Sequence, residues 1–269
     1  MPAGTFTLTL VGAGDDTAAT GDLDIGVNVA STLTIIGQGE TLTIIDGNNA
    51  DRVFETIVNG TVATIRLVTI RNGNSAAAGG CILVSGATTT VTLNDVVVTG
   101  CTAVNGGGGI DNSATLIMNV VAVTNNTAQG INNGVNGAIT WTDGELSGHT
   151  DRGINNHGTL TMTNVTISGN TTAGNGAGID TDHVAPRTVT LQNVTISNNT
   201  SSVLTNIGGI RQDGNGTFSV RNTIISGNAP LNCGGVGVIT SQGNNLTDVA
   251  GCGLTQPTDI VANPLLRAL

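Results

Sequence analysis

The chain has 269 residues, including 40 glycines, three phenylalanines and one tryptophan, and it contains no tyrosine and no lysine. Because so few side chains are large, a core has to be assembled from many thin layers of Val, Ile and Leu. The formal net charge of −10 and the absence of any basic run argue against nucleic-acid partners and anionic membrane surfaces. No apolar run approaches the roughly 20 residues of a membrane helix, so membrane insertion is not expected.

Residues 1–52 are predicted to form an N-terminal cap and the first layers of the structure. Phe6–Val11 and Asp22–Val29 read as short strands on either side of an acidic turn. Four aspartates of this segment are candidate Ca²⁺ ligands: Asp15, Asp16, Asp22 and Asp24. They lack the glycine-spaced oxygens of a dedicated calcium loop, so a solvated acidic cap is the favoured alternative, and no other cofactor is predicted.

Residues 53–228 carry a repeated pattern, clearest where TLTMTNVTISGN at 159–170 returns at 188–199 and 217–228. Each repeat has a glycine followed by an isoleucine and then two alternating strands. The landmark isoleucines are Ile82, Ile110, Ile131, Ile154, Ile179 and Ile210. Three short strands per repeat of 21 to 29 residues are typical of a parallel β-helix. We therefore predict an all-β solenoid of about nine coils, with residues 229–269 as a C-terminal cap on one continuous domain.

Two sets of residues are expected to stabilise the corners of the coils. Asparagines recur three residues beyond the last strand of four repeats: Asn126, Asn170, Asn199 and Asn228. Asn tolerates the left-handed backbone of a sharp corner, and stacked amides can hydrogen-bond along a column. The cysteines form two local pairs, Cys81 with Cys101 and Cys233 with Cys252. Disulfides fit an extracellular setting; four reduced, buried thiols are the alternative.

The chain resembles a family of bacterial surface proteins. The resemblance lies in GDLDI at 21–25, in the repeated GI-x-N coils, and in the NCGG, GNNLTDVAGCGLTQPTD and NPLL segments after Asn232. These are similar to β-helix proteins of the CSLREA or choice-of-anchor Q domain type, which share coil motifs with polymorphic outer-membrane proteins and pectin-lyase-like folds. The resemblance implies a right-handed parallel β-helix, export to the cell exterior, and a surface or adhesive role without assigned catalytic residues.

An active site is the first functional alternative, because many parallel β-helices act on polysaccharides. Asp180, Asp182 and His183, with Arg187 four residues further on, form the best constellation. Paired carboxylates can serve as acid and base or hold Ca²⁺, and an arginine can bind a uronate. A solvated loop is the default explanation of the same residues.

Ice binding is the second alternative. Outward threonines are predicted to stand in two columns on one sheet, with Thr90, Thr159 and Thr188 in one column and Thr92, Thr161 and Thr190 beside them. Such spacing, about 7 Å along the strand and about 4.8 Å between layers, would suit a regular lattice of water. Thr also has high strand propensity, and Ala138 and Ile117 interrupt the columns.

The sequence therefore favours a non-catalytic, exported structural or adhesive module. Its expected partners are further copies of itself, through end-to-end or lateral contacts that could build a filament, or a surface polysaccharide or another cell-surface protein.

Overall fold

The fold is known from a computed structural model that describes residues 1–10, 12, 20–26, 28–181 and 187–266. Within these residues the secondary structure consists of β-strands without helices. In chain order the strands are β1 (Gly4–Thr7), β2 (Leu23–Ile25), β3 (Thr32–Ile36), β4 (Thr43–Asp46), β5 (Phe54–Thr56), β6 (Val62–Arg71), β7 (Asn74–Ser75), β8 (Ile82–Val84), β9 (Thr90–Thr99), β10 (Thr102–Asn112), β11 (Thr115–Thr124), β12 (Thr127–Asn133), β13 (Ala138–Ser147), β14 (Ile154–Asn156), β15 (Thr159–Ser168), β16 (Thr171–Thr172), β17 (Ile179–Thr181), β18 (Thr188–Gln192), β19 (Thr195–Ser197), β20 (Thr200–Ser201), β21 (Ile210–Gln212), β22 (Thr217–Arg221), β23 (Ile224–Ser226), β24 (Cys233–Gly234), β25 (Ile239–Ser241), β26 (Leu246–Thr247) and β27 (Ile260–Val261).

The strands form two long parallel sheets and one short one. The larger sheet has 15 strands, with the main order β1-β4-β6-β9-β11-β13-β15-β19-β23-β26-β27. The second sheet has ten strands and runs β2-β5-β8-β10-β12-β14-β17-β21-β24, while β16 pairs with β20. Along the chain, one to three strands of one sheet are followed by strands of the other, so the chain passes repeatedly between the two sheets. The prediction of an all-β fold with parallel strands in stacked sheets is confirmed.

The core consists of stacked columns of apolar side chains from both sheets. The landmark isoleucines of the ten-stranded sheet are direct partners, as in Ile110 with Ile131 and Ile131 with Ile154. In the larger sheet one predicted inward column is confirmed in register and is buried throughout: Val91, Leu116, Ile139, Leu160, Val189 and Phe218. Each coil adds one such layer, which explains how a chain with few aromatic residues obtains a continuous core.

The second and third predicted strands of a repeat are often one continuous strand. In the ten-residue strands β6, β9, β11, β13 and β15 a single left-handed residue inside the strand turns the chain: Leu67, Asp95, Val120, Asp143 and Asn164. In the later coils Asn193 and Asn222 take this conformation between two separate short strands. A one-residue bend reverses the alternation of side chains while the ladder continues on both sides.

The only tryptophan in the sequence occupies a space that a neighbouring glycine leaves open. Trp141 is fully buried in the column of Met118 and Met162. Gly144 follows it in the same strand and pairs with Val121 and Val165, where a valine side chain would otherwise be expected. A Cβ atom on Gly144 would lie 2.3 Å from Nε1 of Trp141. The large indole of Trp141 therefore fills the volume that Gly144, without a side chain, leaves in the same layer.

Candidate functional site

The predicted catalytic constellation is not assembled among the described residues. Asp180 lies in β17 and is fully buried. Its carboxylate accepts from Nε of Arg152 at 2.7 Å and lies 3.4 Å from Nη1 of Arg211. The guanidinium of Arg187 is engaged elsewhere, since its Nε donates to the His157 carbonyl at 2.7 Å. Asp182 and His183 lie outside the described residues. Asp180 thus forms a buried ion pair, the arrangement expected of a structural group.

The predicted asparagine column forms a continuous hydrogen-bonded ladder. The backbone N–H of Asn170 donates to Oδ1 of Asn199 at 3.1 Å, and that of Asn199 donates to Oδ1 of Asn228 at 3.1 Å. Each side-chain amide also donates to a backbone carbonyl, as Nδ2 of Asn199 does to Ile167 at 3.0 Å. All of these amides are buried. The ladder therefore satisfies polar groups that the corner would otherwise leave unpaired.

The left-handed residue of this corner is not the ladder asparagine itself, which corrects the sequence-based interpretation. It is the preceding residue in each coil: Asn72, Gly100, Asn125, Gly148, Gly169, Asn198 and Gly227. The asparagine at the ladder position does not have a left-handed backbone. Its buried side chain hydrogen-bonds to the neighbouring coil.

His149 takes the place of an asparagine in the ladder and reproduces both of its hydrogen bonds. Its Nδ1 accepts from the backbone N–H of Asn126 at 3.2 Å, and its Nε2 lies 3.1 Å from the Val123 carbonyl. Because Nδ1 accepts, the proton sits on Nε2 and the ring is neutral. Burial lowers the pKa of His149 to about 4. The ring therefore acts as a structural amide mimic rather than as a proton-transfer group.

A second amide ladder, which the sequence analysis did not identify, runs inside the ten-stranded sheet. Nδ2 of Asn112 donates to Oδ1 of Asn133 at 2.8 Å, and Nδ2 of Asn133 donates to Oδ1 of Asn156 at 2.7 Å. All three side chains are buried. The sequence feature that could have revealed this ladder is the asparagine that ends each GI-x-N segment. In an alternating strand this asparagine lies on the same inward face as the isoleucine.

Both candidate cysteine pairs are disulfides in the structure. Cys81 and Cys101 are bonded with their Cα atoms 5.5 Å apart, and Cys233 and Cys252 with theirs 5.1 Å apart. The backbone N–H of Cys101 donates to Oδ1 of Asn126 at 2.9 Å. The first disulfide thus lies at one end of the asparagine ladder and the second within the predicted C-terminal cap, so neither cysteine pair is a free thiol pair.

The threonines form a longer column than the sequence suggested. Direct register partners on one outward column of the larger sheet are Thr34, Thr64, Thr92, Ile117, Thr140, Thr161, Thr190, Ser219 and Thr240. The neighbouring column includes Thr90, Thr115, Ala138 and Thr159 in register, and Thr188 pairs with Thr217. The result is a face of hydroxyl and methyl groups repeated in successive layers.

A shallow groove of about 280 Å³ lies where β9, β11 and β13 bend. We call it the acidic groove, because four carboxylates surround its apolar floor: Glu40, Asp95, Asp143 and Glu145. The floor includes Val97, Val120 and Ala122. Val120 has a left-handed backbone with φ of 54° and is 55% exposed. Such a surface fits a cationic group carried on an apolar stem.

The backbone of Val120 is strained, because its φ is 54° and β-branched residues rarely adopt this left-handed conformation. Asp95 and Asp143 occupy the same bend in the coils on either side with φ of 52° and 56°. Short polar side chains tolerate this conformation by bonding locally. At this bend the groove therefore exposes the apolar side chain of Val120, whereas the strands on either side have aspartate at the equivalent position.

A second group of carboxylates, which we call the N-terminal acidic cluster, lies at the start of the ten-stranded sheet. It consists of Asp22, Asp24 and Glu55, with one carboxylate oxygen of each within 4.8 Å of the others. Arg52 reaches into the cluster, with Nη1 3.5 Å from Oδ2 of Asp22 and a second ion pair to Glu55. Burial, followed by the charge of Asp24, raises the pKa of Asp22 to about 6. Asp15 and Asp16, the other aspartates predicted for this site, lie outside the described residues.

Comparisons with known proteins assign no relative to the chain. No protein-family model, no curated protein and no solved structure matches it. Among the described residues we also find no helix with the length and apolar character needed to cross a bilayer. The resemblance to bacterial surface β-helix proteins therefore stays a prediction, and function has to be argued from the surfaces described above.

Proposed function

We propose that the chain is a non-catalytic structural or adhesive module exported to the cell surface. In this proposal it is a right-handed, single-stranded parallel β-helix with three strands per coil and about nine coils. Residues 1–52 form an N-terminal cap and the first coils, residues 53–228 form the regular coils, and residues 229–269 form a C-terminal cap. Two disulfides support an oxidising, extracellular setting. The buried amide ladders support a rigid stack of regular coils, which we call the shaft. They hold successive coils together through side-chain hydrogen bonds as well as through the backbone.

The observation that carries the proposal is the distribution of exposed apolar side chains. Most of the large ones lie near the two ends of the chain rather than along its middle. Near the N-terminal end they include Leu10, Val29 and Leu42; near the C-terminal end they include Val236, Val238, Ile260, Val261 and Leu265. Apolar surface concentrated in patches marks contact sites. We infer that the ends of the shaft are where it meets further copies, or a surface polysaccharide or another cell-surface protein.

The edge strands support contact between copies. Among the described strands, β1 pairs only with β4 and β27 pairs only with β26. Both pairs are parallel, so the outer edge of β27 in one copy and that of β1 in the next can form the same kind of ladder as any interior pair. A contact between unlike ends is head to tail, and it produces a filament wherever its rotation does not close the copies into a ring.

The test is the mass of the protein as a function of its concentration, measured by analytical ultracentrifugation and by negative-stain imaging. We expect mass and particle length to grow with concentration in the parent protein. Ile260→Lys places a charge on the edge strand β27 and should abolish this growth. Val104→Lys is the matched control, because Val104 is also an exposed strand residue, at 71% against 54% for Ile260, but lies away from both ends; it should assemble like the parent. A parent protein that stays monomeric at high concentration excludes end-to-end assembly.

The threonine column favours a second candidate function, binding to ice. Seven threonines and one serine in nine aligned layers present hydroxyl groups at a spacing of about 4.8 Å. Thermal hysteresis of the purified protein tests this candidate. Thr161→Leu should reduce the hysteresis strongly, whereas Thr166→Leu, on the other half of the same strand, should not. Absence of hysteresis in the parent protein removes the candidate.

The carbohydrate-active alternative stays a prediction that depends on Asp182 and His183. It is tested by incubating the protein with acidic polysaccharides and measuring new reducing ends or unsaturated products. Activity that disappears in Asp182→Asn would favour an enzyme over the structural module. Activity that is equal in the parent and in this variant would exclude the constellation.

A further inference from the structure

The N-terminal acidic cluster has the geometry of a cation site. Oxygens of Asp22, Asp24 and Glu55 lie within 4.8 Å of one another. A Ca²⁺ ion holds its oxygen ligands at about 2.5 Å, so two ligands of one ion can be separated by up to about 5 Å. The three carboxylates can therefore bind one ion without a large movement of the backbone.

A buried oxygen atom in the cluster has no hydrogen-bond partner among the residues that the structure describes. The side chain of Asp22 is only 1% exposed, and its Oδ1 is buried and accepts no hydrogen bond from the described residues. The contact of Arg52 is made with the other oxygen, Oδ2, at 3.5 Å. Leaving a buried carboxylate oxygen unsatisfied is costly. An ion at this position would remove that cost.

The charges of the cluster also call for a divalent cation. Three carboxylates face one guanidinium, that of Arg52. Asp51 adds a further carboxylate, whose Oδ1 accepts from the backbone N–H of Arg52 at 2.8 Å. The donor set consists of oxygen atoms only, without histidine or cysteine, which favours Ca²⁺ over transition metals.

The cluster can be reached from solvent. Asp22 lines a cavity of about 250 Å³ between residues 7–10 and residues 20–23. Asp22 is buried, whereas Leu23, which lines the same cavity, is 39% exposed. An ion can therefore enter without unfolding of the cap.

We propose that Asp22, Asp24 and Glu55 form a Ca²⁺ site that fastens the N-terminal strand of the ten-stranded sheet. Asp24 and Glu55 are direct register partners in β2 and β5. Strand β2 has only three residues and, among the described strands, only β5 as a neighbour. An ion shared by the two strands adds a cross-link where backbone pairing is short. The site is independent of end-to-end assembly, so either proposal can fail alone.

Isothermal titration of the full chain with CaCl₂, after removal of divalent ions with a chelator, tests the site. We expect one Ca²⁺ per chain and a rise in the melting temperature when the ion is added. Asp24→Asn should weaken binding at least tenfold. Asp24 is only partly buried, so this variant is expected to fold, which circular dichroism in the absence of Ca²⁺ verifies.

Asp143→Asn in the acidic groove is the matched control, because it removes the same charge from the protein far from the cluster. It should bind Ca²⁺ like the parent. If Asp24→Asn does not fold, Asp22→Asn takes its place, with the same expected loss. The proposal is overturned if the parent binds no ion with one-to-one stoichiometry at millimolar CaCl₂. It is equally overturned if Asp143→Asn weakens binding as much as the cluster variant does.

Discussion

Replacing His149 by asparagine should remove a pH dependence from the stability of this protein. The pKa of His149 is about 4 in the folded state and near 6.5 in the unfolded state. As pH falls below 6.5, the unfolded chain takes up a proton before the folded one does, so the free energy of unfolding decreases. Each pH unit in this window costs about 1.4 kcal/mol, and the loss approaches about 3 kcal/mol near pH 4. Above pH 6.5 both states are neutral and the stability contribution is complete.

The variant His149→Asn keeps the hydrogen bonds of the ladder without the titration. An asparagine can accept from the Asn126 N–H and donate to the Val123 carbonyl. Asn170 and Asn199 make the equivalent pair of bonds, each accepting from the backbone N–H of the preceding coil and donating to a backbone carbonyl. We therefore expect parent and variant to differ by less than about 1 kcal/mol at pH 7. At pH 4.5 the variant should be more stable than the parent by about 2 to 3 kcal/mol.

Urea denaturation at a series of pH values measures this difference. Trp141 is the sole tryptophan and is fully buried in β13, the strand that leads to His149, so its fluorescence reports on the same coil. Subtracting the free energy of unfolding of the variant from that of the parent cancels the contribution of carboxylates that titrate in both proteins. His149→Ala is the control for lost hydrogen bonds and should be destabilised at pH 7 by about 2 kcal/mol. A parent-minus-variant difference that stays constant from pH 7 to 4.5 would refute the assignment of a buried, neutral ring.

Three further substitutions test individual features of the fold. Asp180→Asn should lower the free energy of unfolding by about 3 kcal/mol, because its two arginine partners lose a buried counter-charge; a change below about 0.5 kcal/mol in urea denaturation would contradict a structural ion pair. Val120→Asn should stabilise by about 1 kcal/mol, since asparagine tolerates the left-handed backbone, and a lower melting temperature would argue that the valine packs in a way that offsets its strain. Gly144→Ala should cost about 2 kcal/mol, because its Cβ would collide with the indole of Trp141; unchanged chemical denaturation would show that the core relaxes freely at this layer.

The periodic features of the fold could be predicted from the sequence because they depend on local alternation. In a parallel stack each coil places equivalent residues over those of the preceding coil. The spacing of Ile110, Ile131 and Ile154 alone therefore identifies register partners. The same reasoning found the ladder that contains Asn170 and Asn199. It assigned the left-handed conformation to the wrong residue, because Asn and Gly stand side by side at that corner and both tolerate it.

The candidate sites could be predicted only in part, because they depend on contacts between residues far apart in the chain. Asp22 and Asp24 were identified as acidic residues, but Glu55 and Arg52 enter the cluster through the pairing of β2 with β5. Asp180 stands two residues before Asp182 in the sequence, a spacing that suggested two carboxylates on one side of the chain. The packing of Arg152 and Arg211 from neighbouring coils, 28 and 31 residues away, makes it a buried ion pair instead.

Residues that break the repeat have a structural consequence of their own. Coils with the same apolar pattern could in principle pair one layer out of place with little change in buried area, so the regular columns alone specify register weakly. The irregular residues remove this ambiguity, because Trp141 needs the space left by Gly144, and Cys101 needs Cys81. Asp180 likewise needs an arginine in each of the coils beside it. A misplaced coil would bury an unpaired charge or create a clash, each costing several kcal/mol. The exceptions to the repeat therefore select one alignment from the several that the repeat itself permits.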